Sequence, residues 1–179
     1  MLLLILGSLA ALAFAGFLAL QPVGEAPAPV SVEAAAAFDQ KLGGVIGAQV
    51  RSGSPVAFSE EEVNSKLAQT LAGAPAASPL KRLFVRLRPE NRVTAVAFGA
   101  VMGRPVEGLA DLQLSNAEGV TVNIESARIG LLPLPVGLFT EVFLPMMRSA
   151  GVALPATSAV PASVRSARIE GTNIIVTPR

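Results

Sequence analysis

The chain has no cysteine, histidine, tryptophan or tyrosine among its 179 residues. The absence of cysteine excludes disulfides, thiolate nucleophiles, iron–sulfur ligation and lipoprotein acylation. The absence of histidine excludes Ser-His-Asp and Cys-His catalytic sites, most zinc sites and imidazole ligation of haem. We therefore expect a protein that is not an enzyme and that holds neither a cofactor nor a metal ion.

Charge of either sign is also scarce and nearly balanced, with 14 basic and 13 acidic residues and a formal net charge of +1. A balanced chain has no strong long-range field that would attract a polyanion. We therefore expect no nucleic-acid partner.

What the sequence has in abundance is an apolar N-terminus, because residues 1–20 carry no charged side chain and a single hydroxyl, that of Ser8. A helix of this length spans about 30 Å, the thickness of a hydrocarbon core. The run exceeds the roughly 7 to 15 apolar residues of a signal peptide, which favours a retained single-pass anchor over a cleaved signal. The next charges, Glu25, Glu33 and Asp39, are acidic. We therefore expect the N-terminus inside and the domain outside the cytoplasmic membrane, in the periplasm or the extracellular space.

Two further regions follow the anchor. Residues 21–30 are rich in Pro and Ala, and we expect a stiff linker that holds the domain off the bilayer. Residues 31–179 are long enough to form one domain with its own core. The hydrophobic period changes from 3.6 to 2 near residue 80. The sequence therefore predicts an α+β fold in which an antiparallel sheet packs against amphipathic helices.

Two amphipathic helices are predicted before the strands. Ser31 is placed to cap the first of them. The second begins with the capping box Ser59-x-x-Glu62, in which each side chain bonds the backbone N–H of the other. Val63 and Leu67 lie on the apolar stripe of this second helix.

Asn64 is the polar residue of interest on the second helix, because it lies between the two apolar sides of the helix. An asparagine amide forms up to four hydrogen bonds. We therefore expect a structural role for Asn64, in which its amide satisfies a buried backbone group at the edge of the sheet.

Alternation with period 2 predicts a four-stranded antiparallel meander and a C-terminal hairpin. The predicted strands are residues 81–89, 93–102, 106–115, 120–125, 164–169 and 174–177. The second strand is apolar on both faces, which predicts that both faces are covered. Between the meander and the hairpin, Pro133-Leu-Pro135 is predicted to open a further helix, and Pro145 to bend or break it.

Two stretches of the sequence resemble the YpmS-like bacterial envelope proteins. Residues 55–67 are similar to that family's strand-to-helix junction, where an extended stretch runs into Ser/Thr-Glu-x-Glu-Leu-Asn. Residues 127–135 are similar to its Ile-Gly-x-Leu-x-Leu-Pro link between a strand and an apolar helix. The resemblance implies a single-pass, outward-facing domain without catalytic residues. It also implies a distant likeness to lipid-holding folds, in which a curved antiparallel sheet wraps around a long helix.

The polar residues form no convincing reaction centre. Ser78 and Lys81 match Ser-x-x-Lys, but the companion motifs Ser-Asp-Asn and Lys-Thr-Gly are absent from the chain. Asp111 and Glu125 are expected on polar strand faces, where solvent keeps both carboxylates ionised. A row of arginines on one strand face is expected to be solvated. The alternatives are that these arginines bind lipid phosphates or an acidic partner. Its members are Arg82, Arg86 and Arg88.

The function predicted from these observations is the binding of a lipid or other apolar ligand between the sheet and the helix after Pro133. The doubly apolar second strand and the methionines of that helix carry the prediction, because methionine adapts to irregular ligands. The predicted ligand-binding residues are Val96, Phe98, Leu138, Phe139, Val142, Phe143, Met146 and Met147. The alternative is a structural or assembly protein with a dry core, which contacts another envelope or membrane protein and binds no ligand.

Overall fold

The computed structural model describes residues 15–19, 21, 24, 26, 29–47, 53–76, 78, 80–101, 104–116, 120–141 and 163–179. The helices are α1 (Val32–Ile46) and α2 (Glu60–Ala72), and residues 15–19 and 136–141 are also helical. The strands are β1 (Val56–Ser59), β2 (Leu80–Arg88), β3 (Arg92–Val101), β4 (Arg104–Ser115), β5 (Thr121–Ile129), β6 (Leu132–Leu134), β7 (Val164–Glu170) and β8 (Asn173–Pro178).

The strands form two antiparallel sheets, which confirms the predicted α+β class. The larger sheet has the order β2-β3-β4-β5-β6, and the smaller has the order β1-β8-β7. Alternation did not predict β1, which pairs with β8 beside the C-terminal hairpin, or β6, which extends the meander by one strand. The helix predicted to open at Pro133-Leu-Pro135 begins at residue 136, directly after Pro135, whereas Pro133 itself pairs with Arg128 in the sheet.

The turn between β2 and β3 fixes the register of the meander. Glu90 and Asn91 have φ angles of 61° and 59°. Positive φ at both central residues is typical of a type I′ turn, whose twist matches that of the two strands it joins. Arg88 pairs with Arg92 across this turn, and the pairing continues along the strands to Leu80 and Gly99.

The larger sheet has an inner face, which packs against α2, and an outer face on the opposite side. Val85 of β2 and Ala95 of β3 belong to the inner face, where Val63 and Leu67 of α2 pack against them. Helix α1 packs against the smaller sheet, and the rings of Phe38 and Phe58 lie 5.1 Å apart. The core therefore lies between the larger sheet on one side and α1 with the smaller sheet on the other.

The predicted anchor and linker are described only in part. Residues 1–14 and residue 20 of the anchor lie outside the described residues. Within the part of the chain that the structure describes, no helix is long and apolar enough to cross a membrane. Within the predicted linker, the Ala26 carbonyl contacts the domain and accepts a hydrogen bond of 2.6 Å from Arg86 Nη2.

Candidate functional site

Helix α2 is fixed at its N-terminus by the capping box expected there. Ser59 Oγ accepts a hydrogen bond from the Glu62 N–H at 3.1 Å, and Glu62 Oε2 accepts one from the Ser59 N–H at 2.9 Å. Lys41 of α1 also donates to the Glu62 carboxylate, with Nζ 2.6 Å from Oε1. The residue that caps α2 therefore joins it to α1 as well.

Side chains of α2 also occupy the edge of β2. The Asn64 amide exchanges hydrogen bonds with Val85, with Nδ2 2.9 Å from the carbonyl oxygen and the N–H nitrogen 2.6 Å from Oδ1. Glu60 Oε2 accepts from the Leu87 N–H at 2.8 Å. These groups take the place of the neighbouring strand that an edge strand lacks. They hold α2 over the inner face, which is the structural role predicted for Asn64.

The two sheets are joined by the side chains of Asn116 and Asn91, which directly follow β4 and precede β3, respectively. Asn116 Nδ2 donates to the Ala167 carbonyl at 2.8 Å, and the Ala167 N–H donates to Asn116 Oδ1 at 3.0 Å. Asn91 Oδ1 accepts from the Ile169 N–H at 2.8 Å. Strand β7 is therefore bonded to two residues at the strand ends of the larger sheet. No pattern in the sequence distinguishes these asparagines from others in turns.

A cavity of about 340 Å³ lies between the inner face, the two helices and the smaller sheet. The described lining side chains are aliphatic or aromatic, except for Ser163. From the larger sheet they include Val85, Val93, Leu112, Leu114, Val122, Ile124 and, after β6, Phe139. From the helices and the smaller sheet they include Leu42, Val45, Phe58, Val63, Leu67, Val164, Ala167, Ile174 and Val176.

The chemistry of this lining decides what the cavity can hold. No charged side chain is present among its described residues. A charged group placed there without a partner would lose its hydration at a large cost in free energy. Water also needs polar partners, and an apolar cavity stays dry while it accepts hydrocarbon. The cavity therefore suits a nonpolar chain or ring.

The outer face carries a separate apolar cluster, formed by Phe84, Val96, Leu109 and Phe98. The rings of Phe84 and Phe98 are stacked with their centroids 5.9 Å apart. The Arg82 guanidinium lies over the Phe98 ring, 4.0 Å from its centroid. Val96 is fully buried, at 0% exposure. The prediction that both faces of β3 are covered therefore holds at Val96.

The position of this cluster corrects the prediction for Val96 and Phe98. Both were expected to line a ligand site together with Phe139, but they lie on the outer face, and the described lining of the cavity does not include them. Side chains alternate along a strand, so the inner face takes Val93 and Ala95 instead. Because β3 is apolar on both faces, its sequence does not say which set faces the helices.

The helix after β6 contributes one described residue to the cavity. Phe139 is 5% exposed and lines it, whereas Leu138 is 48% exposed and is not among the described lining residues. The remaining predicted ligand-binding residues lie outside the described residues. They are Val142, Phe143, Met146 and Met147.

The Ser-x-x-Lys match does not bring its two functional groups together. Ser78 Oγ donates to the Leu80 carbonyl at 3.3 Å, and Lys81 Nζ donates to the Ala76 carbonyl at 3.0 Å. A lysine that activates a serine has to lie within hydrogen-bond distance of its hydroxyl. Each side chain instead bonds to the backbone near it.

The carboxylates of Asp111 and Glu125 have separate partners. Asp111 accepts hydrogen bonds from the hydroxyls of Thr94 and Ser126, at 2.9 and 2.8 Å. Glu125 lies 3.7 Å from the Arg92 guanidinium. Among the residues that the structure describes, no group of three or more acidic side chains is placed to hold a metal ion.

No protein-family model, no curated protein and no solved structure matches this chain. The likeness to the YpmS-like proteins therefore stays a prediction from residues 55–67 and 127–135.

Proposed function

We propose that this chain is a non-enzymatic, membrane-anchored domain that binds a lipid or another apolar ligand outside the cytoplasmic membrane. The observation that carries the proposal is the cavity of about 340 Å³ with its apolar lining. Protein interiors pack as densely as organic crystals and keep few voids larger than a water molecule. A void of this size would be unusual in a closely packed core. It therefore favours a nonpolar ligand that fills it.

The volume indicates the size of the ligand. An engineered protein cavity of about 150 Å³ accommodates benzene, which has six carbon atoms. By that proportion the cavity of about 340 Å³ would hold about 14 carbon atoms. A single acyl chain of medium length has this size, whereas both chains of a phospholipid would exceed it.

The lining indicates which part of a lipid would enter. The described lining contains one hydroxyl, that of Ser163, and no group that would neutralise a charged head group. Burying an unpaired charge costs far more than the hydrocarbon gains. We therefore assign the chain of the ligand to the cavity and leave its head group at the opening.

Residues 1–20 and their acidic flank support a location of the domain outside the cytoplasmic membrane. We propose that these residues remain as a single-pass anchor, with the N-terminus inside and the domain in the periplasm or the extracellular space. A retained anchor keeps the cavity beside the bilayer, which is the richest source of acyl chains. We also propose that the chain belongs to the YpmS-like family.

A photoreactive fatty acid tests the proposal directly. The full-length protein in lipid vesicles is irradiated with this probe, and the labelled residues are mapped by mass spectrometry. We expect label within residues 120–124 and 163–167, two stretches that each contribute three residues to the described lining of the cavity. The substitution Ala167→Phe places a large ring in the cavity, so it should reduce this labelling several-fold.

The matched control is Ala57→Phe, because Ala57 lies on an exposed position of β1 outside the described lining. This variant should be labelled like the parent protein. Label that is confined to residues 1–20, or that is equal in both variants, would contradict ligand binding in the cavity. That outcome would favour the structural or assembly role instead.

A further inference from the structure

The turn between β5 and β6 holds the last residues of the proposed anchor. The Leu131 N–H donates to the Leu18 carbonyl at 2.8 Å, and the Gln21 N–H donates to the same oxygen at 3.2 Å. The last carbonyls of a helix have no partner within that helix. The backbone of the domain therefore supplies a partner to the end of the helix at residues 15–19.

Gly130 is the residue that allows this close approach. Its φ angle is +53°, a conformation that side chains disfavour. A Cβ atom built on it would lie 2.5 Å from the Leu18 carbonyl oxygen and 2.6 Å from those of Ala19 and Gln21. Any side chain would displace the end of the helix, so the contact depends on a glycine at this position.

A second contact fastens the chain that follows the helix. The Ala26 carbonyl accepts a hydrogen bond of 2.6 Å from Arg86 Nη2. Arg86 belongs to β2, at one edge of the larger sheet, whereas the β5–β6 turn lies beside the other edge. The chain between Leu18 and Ala26 is therefore bonded to the domain at both ends, which leaves little free length between anchor and domain.

Large apolar side chains are exposed at the first of these contacts. Phe17 is 58% exposed and Leu131 is 49% exposed, and the hydrogen bond between Leu131 and Leu18 places them near each other. Leu18 lies two residues from the end of the proposed anchor, which is about 3 Å along a helix. A residue bonded to Leu18 would then lie close to the level at which the anchor leaves the hydrocarbon.

We propose that the β5–β6 turn docks on the end of the anchor and lies in the lipid interface of the outer leaflet, with Leu131 in contact with acyl chains. The occupant of this surface is the bilayer itself. The proposal rests on the anchor assigned under the proposed function. It adds that the domain sits directly on the membrane rather than at the end of a free linker.

Docking at this turn has a consequence for the cavity. Gly108 pairs with Ile129, just before the turn, and the cavity-lining residues Leu112 and Leu114 lie farther along β4. Strands advance about 3.3 Å per residue, so these residues lie about 13 to 20 Å from the turn along the strand. An acyl chain in the cavity would then be held apart from the turn that contacts the bilayer.

Depth-dependent quenching tests the docking, and the absence of native cysteine makes single labelling sites simple to create. An environment-sensitive dye is attached to Leu131→Cys or to Thr172→Cys in the full-length protein, which is reconstituted in vesicles that contain nitroxide-labelled lipids. Thr172 lies in the β7–β8 turn. Ile169, shortly before this turn, donates to Asn91, which lies at the end of the larger sheet opposite the β5–β6 turn. We expect several-fold stronger quenching at Leu131 than at Thr172.

Two glycine variants form a matched pair for the contact itself. Gly130→Ala introduces a Cβ against the Leu18 carbonyl, whereas Gly171→Ala has a similar positive φ of +60° but no atom within 4 Å. Only Gly130→Ala should reduce the quenching at Leu131.

Carbonate extraction of the vesicles shows separately whether the anchor is embedded. Equal quenching at Leu131 and Thr172 in protein that resists extraction would overturn the docking alone. Release by carbonate would overturn the anchor and the docking together, and acyl labelling of the cavity reports on ligand binding independently of both.

Discussion

The side-chain amides of Asn64 and Asn116 have the same role at the edges of different sheets. Each exchanges a pair of hydrogen bonds with the backbone of one residue, Val85 for Asn64 and Ala167 for Asn116. They differ in burial, because Asn64 is 0% exposed whereas Asn116 is an exposed residue. The same pair of bonds is therefore made by one buried and one exposed side chain.

This difference predicts unequal losses of stability. Asn64→Ala leaves the N–H and the carbonyl of Val85 without partners in a buried place, at about 1 to 3 kcal/mol for each group, so we expect a total loss of about 2 to 6 kcal/mol. Asn116→Ala should cost about 0.5 to 1.5 kcal/mol, because water can replace the amide. The measurement is urea unfolding of the full-length protein in detergent micelles, followed by circular dichroism.

The control for both asparagines is Asn123→Ala, an exposed position on β5 for which a change within about 0.5 kcal/mol is expected. Similar losses for Asn64 and Asn116 would mean that burial does not determine the value of these bonds.

The sequence predicted the helices of the domain well, because capping residues and apolar spacing are local signals. Ser31 accepts from the Ala34 N–H at the start of α1, and the capping box opens α2 where it was expected. Asn64 was also identified correctly, since a polar residue between two apolar sides of a helix calls for a partner. Each of these features is encoded within a few neighbouring residues.

The strands and the cavity were predicted less completely for physical reasons. β1 and β6 have four and three residues, too few for alternation to be recognised. The position of Val96 was wrong because a strand with two apolar faces gives no sign of which face meets the helices. The cavity depends on how side chains from distant elements fill a common space, and no local pattern reports this. Phe139 was the one predicted ligand-binding residue found among its described lining.

Ser59 provides a test of the helix cap. Ser59→Ala removes the acceptor for the Glu62 N–H, and we expect a loss of about 1 kcal/mol in urea unfolding. Gln69→Ala, on the exposed side of the same helix, should change stability by less than about 0.5 kcal/mol. A loss at Ser59 no larger than that at Gln69 would argue against a cap that contributes to folding.

A single cysteine at Ala57 tests the orientation of the domain. Ala57 is exposed, and the chain has no other cysteine, so Ala57→Cys offers one accessible thiol. If the domain lies outside the cytoplasmic membrane, a membrane-impermeant maleimide should label it in intact spheroplasts to the same extent as after lysis. A cytoplasmic thiol protein, measured in the same sample, reports leakage. Labelling that requires lysis would reverse the proposed orientation.

Ala167 and Ala110 together test whether the cavity is present in solution. Both are buried alanines in strands, at 6% and 3% exposure, but only Ala167 is among the described residues that line the cavity. Added methylene groups in a closely packed core cost about 1 to 3 kcal/mol. We therefore expect Ala110→Leu to lose about that much stability, whereas Ala167→Leu should be neutral or stabilising because its side chain enters empty space.

The comparison requires protein from which bound lipid has been removed, since an occupied cavity would resist a leucine at Ala167 as a packed core does. Urea midpoints of the two variants, measured against the parent protein with the same slope, give the two free energies. Equal destabilisation by both substitutions in lipid-free protein would show that the space beside Ala167 is filled. The domain would then have a dry, closed core, and its role would be that of an assembly protein rather than a carrier of acyl chains.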